Sequence, residues 1–322
     1  MKNIFKKIDN IIKIIFYNKF LKVPDFSEKR IFLQGKLLSE LNRNKEVIDS
    51  FKDVEFSVFS QFGEDGIISW LVNNVPNIKK IFLEIGTQDY WESNTRFLLK
   101  LENWKGYLVE ASSQDIKKIK SQGVYWRHNL RAINEFINIK NVNEIIKKNI
   151  KEEEIGLLSL DIDGNDYWIL NEINTINPTI VVCEFNSVFG DIHKITSIYD
   201  ENFKRSEKHY SNLYFGCSIQ ALISLMKDKK YTFLGTSSQG INAFFIKEEQ
   251  YKYIEKKIVN KNFHPSNVRE ARDKNFQLNY KNIIDNLNLI IDMEVYDIEK
   301  KIKQKISNYK EIFSSDWKNK IK

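Results

Sequence analysis

Two short apolar runs in the middle of this chain each end in acid. Leu157–Leu160 runs into Asp161 and Asp163 (LLSLDIDGND), and Ile180–Cys183 runs into Glu184, with Asn186 two places on (IVVCEFN). Runs bounded by turn residues and separated by a helix-length segment read as neighbouring parallel strands joined by a crossover. In open α/β sheets, ligands bind in the crevice beyond the carboxyl ends of the strands. Asp161, Glu184 and Asn186 are therefore expected to meet at one rim. Hard oxygen donors of this kind suit Mg²⁺. A second reading gives Asp161 and Asp163 to a bound cofactor and to a turn shaped by Gly164 and Asn165, and makes Glu184 the general base or an acceptor ligand. A calcium loop is rejected, because YWIL (167–170) is too apolar for one.

A third strand end adds to the set. In IFLEIGTQDYWESNT, Glu84 is followed by Gly86, a residue that lets backbone approach a ligand closely. Glu110 closes the next apolar run, GYLVE, and an acid there can accept hydrogen bonds from both hydroxyls of a ribose. No GxGxxG follows the first strand, so the usual pyrophosphate cradle is missing. Glu84, Gly86 and Glu110 together suggest a nucleoside ligand without a diphosphate, and S-adenosylmethionine fits that description.

These residues need a scaffold, and the pattern of the chain predicts one. Strands are expected at Ile81–Ile85, Gly106–Glu110, Val124–His128, Gly156–Asp161 and Thr179–Glu184, with helices at Ser93–Asn103, Ser113–Gln122 and Asn141–Asn149 between them. Before them, Glu28–Ser50 and Phe62–Val75 read as helices. After a polar, aromatic-rich insertion (Asn186 to Asn212) come a helix at Ser218–Lys229 and two strands, Tyr231–Gly235 and Asn242–Ile246, linked by SSQG as an antiparallel pair. Alternating β and α elements of this kind describe a doubly wound α/β sheet with an altered edge. Three units are expected: a helical N-terminal extension (1–50), the α/β domain (51–247), and a charged helical C-terminal extension with little core (248–322).

Composition narrows the classes. The 322 residues can bury a proper core, and 42% are hydrophobic. The net charge of +7 is not arranged as a basic stripe interleaved with aromatics, so nucleic acid is not expected as a partner. Cys183 and Cys217 have no CxxC spacing, which argues against a zinc site or a disulfide framework and fits a reducing cytoplasm. No uncharged run of about 20 apolar residues spans a membrane. Residues 1–23 repeat apolar residues at helical spacing with lysines between them. They read as a helix docked on its own domain or on a second subunit, or as a basic amphipathic helix resting at the inner face of an anionic membrane.

The ordered segments FSQFGEDGII (59–68), FLEIGTQDYWESNT (82–95), NWKGYLVEAS (103–112), LLSLDIDGNDYWIL (157–170), IVVCEFNSVFG (180–190), YFGCSIQALISL (214–225) and GINAFFIK (240–247) make the chain resemble class I S-adenosylmethionine-dependent methyltransferases, more narrowly the FkbM-like group. The resemblance covers about 59 to 247. It implies a Rossmann-like, mostly parallel seven-stranded sheet with an antiparallel last strand. It also implies cofactor contacts from Glu84, Gly86, Glu110 and Asp161, and pocket-facing positions for Gln61, Glu64, Asp65, Glu92, Asn94 and Thr95. The first turn departs from the family pattern, with Thr87-Gln88-Asp89 where further glycines are usual.

The expected activity is O-methyl transfer from S-adenosylmethionine to a small or carbohydrate-linked acceptor, in a setting such as bacterial surface-polysaccharide synthesis. Asp161 and Glu184 are the expected catalytic groups. His193 and His209, in the insertion after the fifth strand, are the other candidates for the base. A non-catalytic binding or assembly protein, with the helical ends forming a homodimer or other partner interface, is the rival reading.

Overall fold

The computed structural model describes residues 27–321. Helix α1 (Ser27–Arg43) and helix α2 (Glu64–Asn74) precede the sheet. Then β1 (Ile81–Ile85), α3 (Arg96–Glu102), β2 (Lys105–Glu110), α4 (Ser113–Ser121), α5 (Gly123–Arg127), β3 (Leu130–Asn134), α6 (Val142–Asn149), β4 (Glu154–Leu160), α7 (Asp166–Glu172) and β5 (Asn177–Glu184) follow in strict sequence. The insertion carries β6 (Ile195–Ser197) and the short α8 (Arg205–Lys208). Next come α9 (Ile219–Asp228), β7 (Tyr231–Thr236) and β8 (Asn242–Lys247), and beyond them α10 (Ile283–Ile290), β9 (Glu294–Asp297), β10 (Ile302–Lys305) and α11 (Ser315–Lys320).

Seven strands form the main sheet in the order β3-β2-β1-β4-β5-β8-β7. β1 to β5 pair in parallel, and β8 runs antiparallel between β5 and β7. This is a Rossmann-like, doubly wound α/β fold with an antiparallel last strand. Successive strand residues feed opposite cores: Leu83, Leu158 and Val181 face one, Phe82, Leu157 and Val182 the other. That two-sided burial explains why the strands read as apolar runs without alternation. Strand order reverses between β1 and β4, so the crevice at a topological switch point opens beside Gly86 and Asp161.

Three expectations are corrected. Val124–His128 is not a strand: Gly123–Arg127 is helix α5, and the third strand is Leu130–Asn134. β3 is an edge strand with two exposed residues, so its apolar signal is weak, whereas the β-branched and aromatic VYWR misleads on propensity alone. Helix α1 ends at Arg43, because Ile48 forms a parallel bridge with Ile258 instead of continuing the turn.

The segment 248–321 is neither mainly helical nor poor in core. Val295, Ile306 and Trp317 are fully buried and join the core beneath α7 and α9. β9 pairs with β6 of the insertion and with β10, giving a second sheet in the order β10-β9-β6. Residues 1–23 lie outside the described residues. Among the described residues, no helix is long and apolar enough to cross a membrane.

Candidate active site

Gly86 sets the geometry of the site. Its φ is +82°, and a Cβ added there would sit 1.6 Å from the backbone oxygen of Asp161. The ends of β1 and β4 therefore approach as only glycine allows. Asp161 NH donates to Ile85 O (3.1 Å) and Gly86 NH to Val109 O (3.0 Å), which ties three strand ends together. Glu84, Glu110 and Asp161 consequently share one rim. The glycine-poor turn still bends as required: Gln88 (φ +45°) and Tyr90 (φ +65°) take left-handed conformations. Gln88 NH is held by the Glu110 carboxylate (2.9 Å), and Tyr90 is fully buried, which offsets the backbone strain.

Two clefts open on this rim and share Gly86, Gln88 and Asp161. The first, about 270 Å³, runs over the ends of β2 and β3 and is lined by Val109, Glu110, Glu135, Phe136, Ile137 and Phe203 among others. The Glu110 carboxylate is fixed by Gln88 NH on one oxygen and Ser112 NH (2.8 Å) on the other. Two of its roughly four acceptor positions stay open for a ligand. The second cleft, about 160 Å³, is strongly polar, with Gln61, Glu84, Glu92, Asn94 and Asn242 in its walls.

Behind the polar cleft, Glu84 is buried and pins the turn that follows β1. Its carboxylate accepts from Ser93 Oγ (2.7 Å), from Asn94 NH (3.0 Å) and from Thr95 Oγ1. Burial raises its pKa against these hydrogen bonds. Thr95 thus stands behind Glu84, away from both clefts. Asn94 Nδ2 crosses to Ser159 Oγ (3.1 Å) on β4.

Asp161, Asp163 and Glu184 each bring a carboxylate oxygen within 4.8 Å of the others. Burial, then the charges of Asp163 and Asp166, raises the Asp161 pKa well above the ordinary range. Burial, then Asp161, does the same to Glu184. Arg205 pairs with Asp163, and burial keeps the neighbouring Asp161–Glu184 pair protonated above the range of an ordinary carboxylate. Glu184 is 7% exposed and its Oε2 is buried without a hydrogen-bond partner. Asp166 is used differently: it accepts from Ile162 NH (2.8 Å) and Gly164 NH (2.9 Å) and shapes the turn after β4.

Several expected residues are corrected by their contacts. The Asn186 side chain donates to Leu213 O (2.8 Å) and Phe215 O (2.9 Å) and accepts from Val188 NH (2.9 Å), so it braces the insertion, and Asp163 takes its place beside the other two acids. His193 lines neither cleft. Its Nε2 pairs with Glu311 O (2.6 Å), and its ring lies 4.5 Å from that of Tyr309. His209 is likewise outside the clefts, with Nδ1 on Ser211 Oγ (2.7 Å).

Asp65 lies behind the site and accepts from the backbone NH groups of Val58, Phe59 and Ser60 at 2.6–3.0 Å. Glu64 reaches the polar cleft only through Asn242 Nδ2 (3.0 Å). Asp65→Ala is expected to cost about 2–4 kcal/mol by orphaning three backbone donors, two of them buried, measured by denaturant unfolding. An unchanged midpoint would show that the 58–60 turn does not depend on this carboxylate.

Sequence reasoning missed Asn242, Arg205, Glu135 and Phe136. Asn242 opens β8 opposite Glu184 in the ladder, and its Oδ1 is buried without a partner. An amide starting an otherwise apolar strand (NAFFIK) was the available signal. Arg205 bonds Asp163 (2.7 Å) and Glu270 (2.5 Å), with its guanidinium carbon 3.7 Å from the centre of the Phe215 ring. Burial disfavours its charge, but Glu270, Glu184 and Asp163 outweigh that and raise its pKa. No local pattern foretells this bridge between the insertion and the C-terminal segment.

Fold and site together describe a Rossmann-like scaffold with a cleft of about 270 Å³ and an acid cluster at its switch point. No family model matches the sequence, and no curated protein matches it. Among solved structures, the chain is similar to a SAM-dependent methyltransferase from Aquifex aeolicus (10% identity, 66% of this chain and 96% of that one, TM-score 0.34). It is also similar to an O-methyltransferase from Bacillus cereus in complex with SAH (13%, 73% and 96%, 0.36) and to the N-terminal domain of EvdMO1 with SAH bound (10%, 68% and 94%, 0.37). The reading of the site rests on its own geometry.

Proposed function

We propose that this chain is an S-adenosylmethionine-dependent methyltransferase acting on a hydroxyl oxygen of a small or sugar-linked acceptor. The observation that carries the reading is the pair of clefts meeting at Asp161. One presents a fixed carboxylate and apolar walls suited to an adenosine; the other presents amides and carboxylates suited to hydroxyls. The charge of the site supports the donor. S-adenosylmethionine, when bound, supplies a methyl group on a cationic sulfur. Asp161 and Glu84 line the polar cleft, with Glu184 beside Asp161, and present acid to such a cation, whereas a dinucleotide would set its diphosphate against them. Glu110 holds ribose hydroxyls in this account. Glu184, with its raised pKa and free oxygen, takes the acceptor proton. Asn242 Oδ1 orients the acceptor. The polar walls favour a carbohydrate-like acceptor, the setting expected from the FkbM-like resemblance.

A second reading of Glu184 is favoured by its unpartnered oxygen beside two other acids. A hard divalent cation such as Mg²⁺, held by Asp161, Asp163 and Glu184, would polarise the acceptor oxygen in place of a base. The test of the overall function is thermal shift. S-adenosylhomocysteine is expected to raise the melting temperature, and NAD is not. Glu110→Ala should weaken S-adenosylhomocysteine about 100-fold or more, the worth of two hydrogen bonds to a charged group. Stabilisation by NAD would point to an oxidoreductase, and stabilisation by neither to a binding or assembly protein.

A further inference from the structure

Helix α1 sits on the domain by its small and polar face. Gly35 lies against Val58 and Phe97, Ser39 Oγ meets Ser69 Oγ (2.6 Å), and Asn42 Nδ2 donates to Val54 O (2.9 Å). Its leucines point the other way. Ile31, Leu33, Leu37, Leu38 and Leu41 are 46, 64, 62, 42 and 55% exposed. At 100° per residue they cover an arc of about 160°, the width of a face that normally meets a core. An exposed apolar face of this size marks an interaction surface.

Charge decides what it meets. The described residues 27–45 contain five Lys and Arg and two Asp and Glu, a net +3, whereas residues 46–322 balance to zero. A second copy laid on this face would bring two such basic segments together. A bilayer bearing anionic headgroups neutralises that charge and receives the leucines.

We infer that the exposed face of α1, with the basic residues of 27–45, docks the protein on an anionic membrane surface. The start of α1 is tied to the site: Glu28 bonds Lys100 (2.5 Å) and lies 3.6 Å from Arg96, whose other nitrogen donates to Tyr90 O (2.7 Å) in the loop after Gly86. Docking through α1 therefore holds that loop, and the polar cleft it borders, close to the lipid surface.

The test is flotation of the full chain with vesicles of phosphatidylcholine alone or with about one third phosphatidylglycerol. The expected result is roughly tenfold more binding to the anionic vesicles, lost in L33E/L37E/L41E. The substituted side chains are exposed, so the melting temperature of the variant should be unchanged. If the triple variant does not fold, Leu37→Glu alone is used and should weaken binding several-fold. The inference is overturned if the native chain stays off anionic vesicles, or if the folded variant binds them equally well. It is also overturned if light scattering finds a dimer that the variant dissociates while neither form binds vesicles, because the face is then covered by a second copy.

Discussion

Asp161→Ala is expected to abolish methyl transfer, by about a thousandfold or more, and to remove the thermal stabilisation given by S-adenosylhomocysteine. The carboxylate borders both clefts, so under the proposed function it acts on the donor and on the reacting end of the acceptor at once. The same substitution should leave the unliganded protein as stable as before or raise its melting temperature by about 2–4 °C. Asp161 is one of three acids within 4.8 Å, and its raised pKa says that the fold holds its charge at a cost. Its structural hydrogen bond to Ile85 is made by the backbone and survives the change. A function lost together with stability gained would mark a site selected for binding. If the variant still responds to the homocysteine analogue, Asp161 does not hold the donor. The non-catalytic alternative, in which the acids have no ligand, then becomes the better account.

Glu184→Gln is expected to lower kcat about 10²–10⁴-fold while leaving the affinity for S-adenosylhomocysteine nearly unchanged. The pH profile separates this from a structural effect. As the proposed base, Glu184 must lose its proton to act, and burial beside Asp161 raises its pKa. Activity should therefore be low where the pair is protonated and rise with pH through a range above the ordinary value of about 4.3. The variant should lose that limb. Binding of a cationic donor should follow the same sign: a positive charge favours the deprotonated pair, so protons are released on binding and affinity increases with pH. Calorimetry in buffers of different ionisation enthalpy measures the release. Chelation decides between the two roles of Glu184. If EDTA removes activity and Mg²⁺ restores it, the residue is a metal ligand; if EDTA is without effect, it is the base. Loss of donor affinity in the variant would contradict both.

The amino-acid sequence by itself determined the sheet and its rim. Buried parallel strands must be apolar throughout and must end where polar residues can meet a ligand, so Ile81–Ile85, the run ending at Glu110, and the two runs ending at Asp161 and Glu184 could be read locally. Topology then placed three of those acids side by side, because adjacent strands share one carboxyl edge. What each side chain does once it reaches the rim was decided only in three dimensions. Asn186 and Asp163 look equally suited to a ligand in the sequence. The first is spent on the carbonyls of residues 213 and 215, and the second is bonded by Arg205 and stands beside Asp161.

His193 and His209 were equally plausible, and contacts with residues 311 and 211 take them out of the clefts. The C-terminal segment looked poor in core because its apolar residues are spaced irregularly. They are buried by pairing β9 with β6, about a hundred positions earlier in the chain. A hydrogen bond or ladder between distant segments leaves no period in either one. Local pattern therefore carried the scaffold, and long-range contact assigned the roles.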